Sequence, residues 1–110
     1  MPDAHQSDAD VKAQRRAALE LVGAYHREQL GVLLAHVREG FAQLEAGKID
    51  EFELDQVIHR YKKATTRLWT YCSVSSSAAL ATAHAIEQMR EAGEERDWWS
   101  EAESRRERGH

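Results

Sequence analysis

Three histidine–carboxylate pairs stand one helical turn apart in this chain: His36 with Glu39, Asp55 with His59, and His84 with Glu87. At that spacing both side chains of a pair leave a helix from the same side. In helical bundles, Glu-x-x-His motifs on facing helices hold two metal ions. The chemistry these residues would support is a carboxylate–histidine metal centre. Two features weigh against it. The order is reversed in His36–Glu39 and His84–Glu87, and helical projection turns His59 away from Leu54 and Tyr61, and His84 away from Ile86 and Met89. Ligands must converge on one interior point, whereas ion pairing on a helix surface asks nothing of the kind. No metal and no cofactor are expected.

The other reactive groups read in the same way. Cys72 ends an apolar stripe and behaves as a small buried hydrophobe, with no base beside it in sequence. Ser73 to Ser77 has neither the strand–turn–helix setting of a nucleophile elbow nor the glycines of a phosphate loop. Serines compete for backbone hydrogen bonds, so this run reads as a helix break. Arg60, Lys62, Lys63 and Arg67 form a basic cluster, the feature that a nucleic-acid binder would use. The formal net charge of −4 has the wrong sign for a broad nucleic-acid face, and no helix-turn-helix signature accompanies the cluster. Acids at Asp50, Glu51, Glu53 and Asp55 followed by these bases match a helix dipole instead.

Trp98 and Trp99 are the strongest handle for a partner. Tryptophan dominates binding hot spots because one rigid side chain buries a large area. The alternative is that the tail folds back and a ring plugs the end of the bundle.

The elements that position these residues are helices. Gly47 suits the left-handed residue that closes one helix. Asp50 and Glu53 have capping-box spacing for the next, with Ile49 and Leu54 placed as a hydrophobic staple around it. The chain must turn tightly there between antiparallel helices. The single proline is Pro2, so no proline interrupts the helices downstream of it. The periodicity predicts an all-α protein with helices over 11–46, 51–72 and 77–92. A flexible tail over 1–10 precedes them, and a charged tail over 94–110 carries the Trp pair. The inward side of the third helix is read as Ala78, Ala79 and Ala85 with Ile86 and Met89.

The first helix carries two apolar sides. Leu30, Leu34, Val37, Phe41 and Leu44 keep a four-three rhythm that reads as the seam for a neighbouring helix, with His26 a polar position on it. Leu21, Tyr25 and Val32 project on a different face. A 36-residue helix is about 54 Å long, far beyond the roughly 13 Å radius of gyration of a compact domain this size. The second helix covers about two-thirds of it, so the Leu21/Tyr25/Val32 face needs a third helix or a second chain. The expected architecture is an elongated antiparallel helical hairpin plus a shorter third helix, assembling as a dimeric helical bundle.

With 110 residues, 42% of them apolar and 31% charged, the composition suits one helical domain. One cysteine permits no internal disulfide, and no run approaches the roughly 18 apolar residues of a membrane span. A charged-then-apolar leader is missing too, and a cytoplasmic, non-membrane protein is the expectation. Gly47 to Cys72, followed by Asp97-Trp98-Trp99, resembles small helical proteins of high-GC actinobacteria. That resemblance implies a stable helical protein and no activity. The functional expectation is a non-enzymatic interaction module that pairs with itself and with another protein, as a regulator, adaptor or antitoxin-like neutraliser. Its partner-binding residues would be Trp98, Trp99, Leu21, Tyr25 and Val32. The alternatives are the metal-binding bundle enzyme and a weak nucleic-acid-binding regulator.

Overall fold

A computed structural model describes residues 8–103, and every regular element in it is helical. In chain order these are α1 (Asp8–Glu45), α2 (Glu51–Cys72), α3 (Ser76–Ala92) and α4 (Trp98–Glu101). The first helix starts at Asp8, so residues 8–10 belong to it and not to a tail. Asp8 and Asp10 in its first turn suit the positive end of the helix dipole. The remainder of both expected tails, 1–7 and 104–110, lies outside the described residues.

The α1–α2 turn is built from hydrogen bonds that its residue types dictate. Gly47 adopts φ 76°, and its N–H reaches the Leu44 carbonyl while the Lys48 N–H reaches that of Gln43. This is the Schellman pattern that satisfies the carbonyls at a helix end. Asp50 then accepts from the Glu53 N–H at 2.8 Å, and Glu53 accepts from the Asp50 N–H at 2.9 Å. Leu54 is buried and Ile49 half-buried, one on each side of that box. Gly93, φ 70°, closes α3 with the same pair of bonds to Arg90 and Met89.

Inside the hairpin, α1 faces its neighbours with Ala18, Val22, Tyr25, Gln29, Leu33, His36 and Gly40. All are buried except His36, which is half-buried. Their spacing runs four, three, four and then repeats, an eleven-residue rhythm that keeps nearly one face of a straight helix. Gly40 is there for closeness: a Cβ at that position would stand 3.0 Å from Leu54 Cδ1 and 3.4 Å from Val57 Cγ1. From α2 come the buried Leu54, Ala64 and Leu68.

The expected seam is displaced. Leu34 and Phe41 are 50% and 47% exposed, while Leu30, Val37 and Leu44 are half-buried. The stripe with the bulkiest residues is not the one α2 takes. A helix seam needs close approach as well as apolar surface, and Gly40 provides it where a larger side chain would hold the backbones apart.

After Ser73-Val74-Ser75 the chain reverses once more. Tyr71 packs against Tyr25, so α2 ends level with the middle of α1. Arg90, near the end of α3, lies over the Tyr25 ring and pairs with Glu28 at 2.7 Å. Three linker residues span only about 10–14 Å. The 17-residue α3 can therefore end beside Tyr25 only by running back along the N-terminal half of α1 in the same sense as α1. Its buried residues are Ala79, Ala83 and Ile86; Ala78 and Ala85, expected inside, face solvent. The result is a rod 68 × 31 × 24 Å with α2 beside one half of α1 and α3 beside the other. Its radius of gyration of 18.8 Å exceeds the roughly 13 Å of a compact chain this long.

Replacing Asp50 by Ala should cost about 0.5–2 kcal/mol through the lost cap. Lys48→Ala, at an exposed position outside the box, should cost far less. Equal denaturation midpoints for the two variants would remove the capping box as a source of stability.

Candidate functional site

The side chains with chemical potential meet where the tail docks. Residues 94–103 fold back instead of trailing into solvent. Asp97 caps the short α4: its carboxylate accepts from the Ser100 N–H at 3.1 Å and from the Ser100 hydroxyl at 2.8 Å. An Asp three residues before a Ser was the legible signal for this turn.

Trp98, 2% exposed, fills the junction between α1 and α2. Its indole N–H donates to the Tyr25 hydroxyl at 2.9 Å, and Tyr71 packs on its ring at 5.3 Å between centroids. The Arg96 guanidinium lies 3.8 Å from the same ring. Arg96 also grips Glu101 with two hydrogen bonds, 2.6 and 3.1 Å, and Arg67 stands 3.5 Å from Glu101. Trp99 is sandwiched. One face stacks on the His36 ring at 4.2 Å and 3°, and the other is covered by Arg60 at 4.3 Å. Arg60 Nε further donates to the Trp99 carbonyl at 3.0 Å.

These contacts revise the expected partner-binding set. Tyr25 and Trp98 are sealed against each other inside the chain, so neither is an exposed anchor. Trp99 is half-buried with both ring faces occupied. Leu21 packs against the core, covered from within by the chain's own elements. Val32 alone of the five stays exposed, at 49%. The physical reason is economy: the tail has two large apolar groups, and burying them in the chain's own groove needs no partner.

Nor do the metal candidates converge. His36 is committed to Trp99, and Asp55 and His59 form an exposed pair at 3.4 Å. His84 and Glu87 sit exposed on α3, and Glu39 is exposed and accepts from Gln43. Among the described residues, no three His, Cys, Asp or Glu side chains are grouped to hold an ion. The basic cluster is divided as well. Arg60 and Arg67 hold the tail, leaving Lys62 and Lys63 exposed. Burial pushes the Cys72 thiol up to about 11, so it is protonated and a poor nucleophile at neutral pH. Burial likewise raises the Tyr25 and Tyr71 hydroxyls.

A shallow open depression of about 360 Å³ lies beside the tail, lined by Thr66, Arg67, Thr70, Tyr71, Arg96 and Trp98. Its arginines are held by Glu101, and the two threonine hydroxyls donate to backbone carbonyls one turn back. Chemically, the arrangement is a latch made of stacked rings and one shared carboxylate. The chain matches no family model, no curated protein and no solved structure, so its functional reading rests on its own residues.

Sequence reasoning missed three parts of this site: the His36–Trp99–Arg60 stack, the Arg96–Glu101 clamp and the buried Gln29. Only the clamp had a local signal, two opposite charges flanking the Trp pair.

Two outcomes test the latch. Trp98→Ala should cost about 3–5 kcal/mol, as for other buried large aromatics, and Trp99→Ala about 1–2 kcal/mol, since cation–π and stacking contacts are weaker. Thermal melts that show Trp99 the costlier of the two would contradict the assigned packing. Hydrogen bonds from Arg96 hold the Glu101 carboxyl below its ordinary range, and those from Ser100 do the same for Asp97. Both carboxylates favour the docked tail when ionised, so their contribution is complete above the ordinary carboxylate pKa. It is lost as pH falls below the ordinary carboxylate range and through the lowered values. Tryptophan emission should shift to the red on acidification through that range. Emission unchanged down to about pH 2 would show that the clamp does not hold the tail.

Proposed function

We propose that this protein is a non-enzymatic interaction module, a small helical regulator, adaptor or antitoxin-like neutraliser that acts by presenting a helix face. The observation that carries this reading is the uncovered side of α1. Leu34 and Phe41 are half exposed there, and Trp69, 61% exposed, stands on the neighbouring flank of α2. Apolar residues at helical spacing on a solvent face are a contact surface waiting for a neighbour. His36, Arg60 and Arg67 are meanwhile spent on the latch and Asp55 and His59 on a surface pair, which favours binding over catalysis.

Neither alternative gains support from the geometry. The metal-bundle reading needs convergent ligands, and its six residues stand apart. The nucleic-acid reading needs a free basic patch, and two of its four residues hold the tail. No helix among the described residues is long and apolar enough to cross a membrane. A cytoplasmic setting belongs to the proposal, as does a kinship with small actinobacterial helical proteins.

Immobilised chain and its Leu34→Glu and Phe41→Glu variants, exposed to lysate of the native host, give the test. A protein retained by the original chain and lost from both variants is the expected result, whether that protein is another copy or a different chain. Identical retention by all three would end the reading of this face as the functional surface.

A further inference from the structure

The strip of α1 that holds the exposed Leu19, Gly23, Leu34 and Phe41 and the half-buried His26, Leu30, Val37 and Leu44 has a regularity of its own. It runs from Leu19 through Leu30, Leu34, Val37 and Phe41 to Leu44, with Gly23 and His26 in the remaining places. No position in it carries Asp, Glu, Lys or Arg. Every member is the next residue after a member of the buried seam or its continuation: 19 after 18, 23 after 22, 41 after 40. One residue is a rotation of about 100°, close to the right angle between the two neighbours of a helix in a four-helix bundle. The sequence of α1 is therefore patterned for two neighbours at right angles. The first is supplied by α2 and α3, and the second is missing.

None of the described helices supplies it. All four helices are already placed, and α3 and α4 lie on the other side. Glu28, which meets α3, and the strip project about 120–180° apart on α1. On α2, Arg60 and Arg67 hold the tail on one flank while Trp69 lies on the opposite one. The segments outside the described residues, Met1 to Ser7 and Ser104 to His110, offer Met1, Pro2 and Ala4 as their only apolar side chains. They are far too polar and short to cover a strip 26 residues long.

Resting on the interaction-module reading, we infer that the second neighbour is α1 of another copy, packed antiparallel across a twofold axis. Three observations select this occupant. A neighbour must offer an uncharged strip of the same rhythm and length, and α1 itself offers that. The area is sufficient: a strip about 38 Å long, widened by the flank of α2 to about 20 Å, gives about 750 Å² per partner, against the roughly 800 Å² of a stable interface. The charges at the two ends of the strip favour one direction, while Glu20, Arg27 and Arg38 project along the same edge between them. Arg16 and Glu45, both exposed, mark the two ends of the strip along the same outer edge. Antiparallel pairing brings Glu45 of one copy beside Arg16 of the other, while parallel pairing sets each residue against its own like charge. The pairing makes a four-helix bundle from two hairpins, with both tails latched on its outside.

Sedimentation equilibrium of the full chain gives the test. The expected mass is twice the 12.5 kDa of one chain at about 100 μM. Leu34→Glu and Phe41→Glu should each return it to one chain while circular dichroism keeps its helical signal, because both residues are half exposed in the monomer. A spin label at Glu20→Cys in a Cys72→Ser background should report a separation of about 35 Å between copies for antiparallel packing. A separation near 10 Å means parallel helices and overturns the geometry. A single-chain mass at every concentration, or a dimer indifferent to both glutamates, overturns the proposal. If a single-chain protein still retains a different protein through Leu34 and Phe41, the interaction reading survives and only the self-pairing fails.

Discussion

Tyr25 meets each of the other three described helices. Its hydroxyl accepts from the Trp98 indole of α4, its ring packs on Tyr71 of α2, and Arg90 of α3 lies over it. The rest of the arrangement depends on this one position. Two helix pairs share α1 end to end, and nothing in that plan alone would fix how α3 sits relative to α2. The two make little direct contact, so their relative placement is transmitted through α1 and through the residues gathered at Tyr25. A buried hydroxyl without a partner costs several tenths to a few kcal/mol, which is why the ring that covers it carries an N–H aimed at its oxygen. Tyrosine and tryptophan are suited to this place for the same reason: each buries a large apolar body and brings one polar atom that finds the other.

The latch has an electrostatic logic of its own. Arg96 and Arg67 both lean on Glu101, while Arg96 also stacks on Trp98. A guanidinium is flat and weakly hydrated, so it can lie on a ring while its edge donates to a carboxylate. A lysine could not do both. Arg60 repeats the arrangement one residue further along, covering the Trp99 ring and donating to its carbonyl. What looks in sequence like a basic cluster on α2 is in large part the receiving side for two tryptophans. The charge ordering along α2 suits the helix dipole, and the fold uses the same arginines a second time.

Much of this was legible in the residues, and the unread part has a common cause. Gly47, Asp50, Glu53 and Gly93 act through bonds to neighbours within five positions, so their roles follow from spacing alone. The all-helical class was equally plain. Which side of α1 faces inward was not. Counting apolar residues favours Leu30, Leu34 and Phe41, whereas the fold seats Gln29, Leu33 and Gly40 against α2. The deciding quantity is the distance between helix axes, which a glycine shortens and which no single-helix pattern reports. That the tail could fold back was open from the sequence, but where it docks was not legible, for a related reason. Its partners Tyr25, His36, Arg60 and Tyr71 are 27 to 73 residues away, and they gather only once both helices are in place.

The inversion of the two α1 faces bears on how such a chain specifies association. A seam of small, flat and aromatic residues is selective, because it fits only a neighbour that can come close and offer complementary shapes. A strip of exposed leucine, valine and phenylalanine is permissive, since dispersion and burial reward many partners nearly equally. Placing the selective seam inside lets the monomer fold to one structure before anything else binds. With the permissive strip outside, the proposed pairing takes its direction from the strip's edges, where Arg16, Trp69 and Glu45 stand. Specificity within the chain is thus written in shape, whereas in the proposed pairing specificity between chains would rest on the charges and the one indole that border the strip.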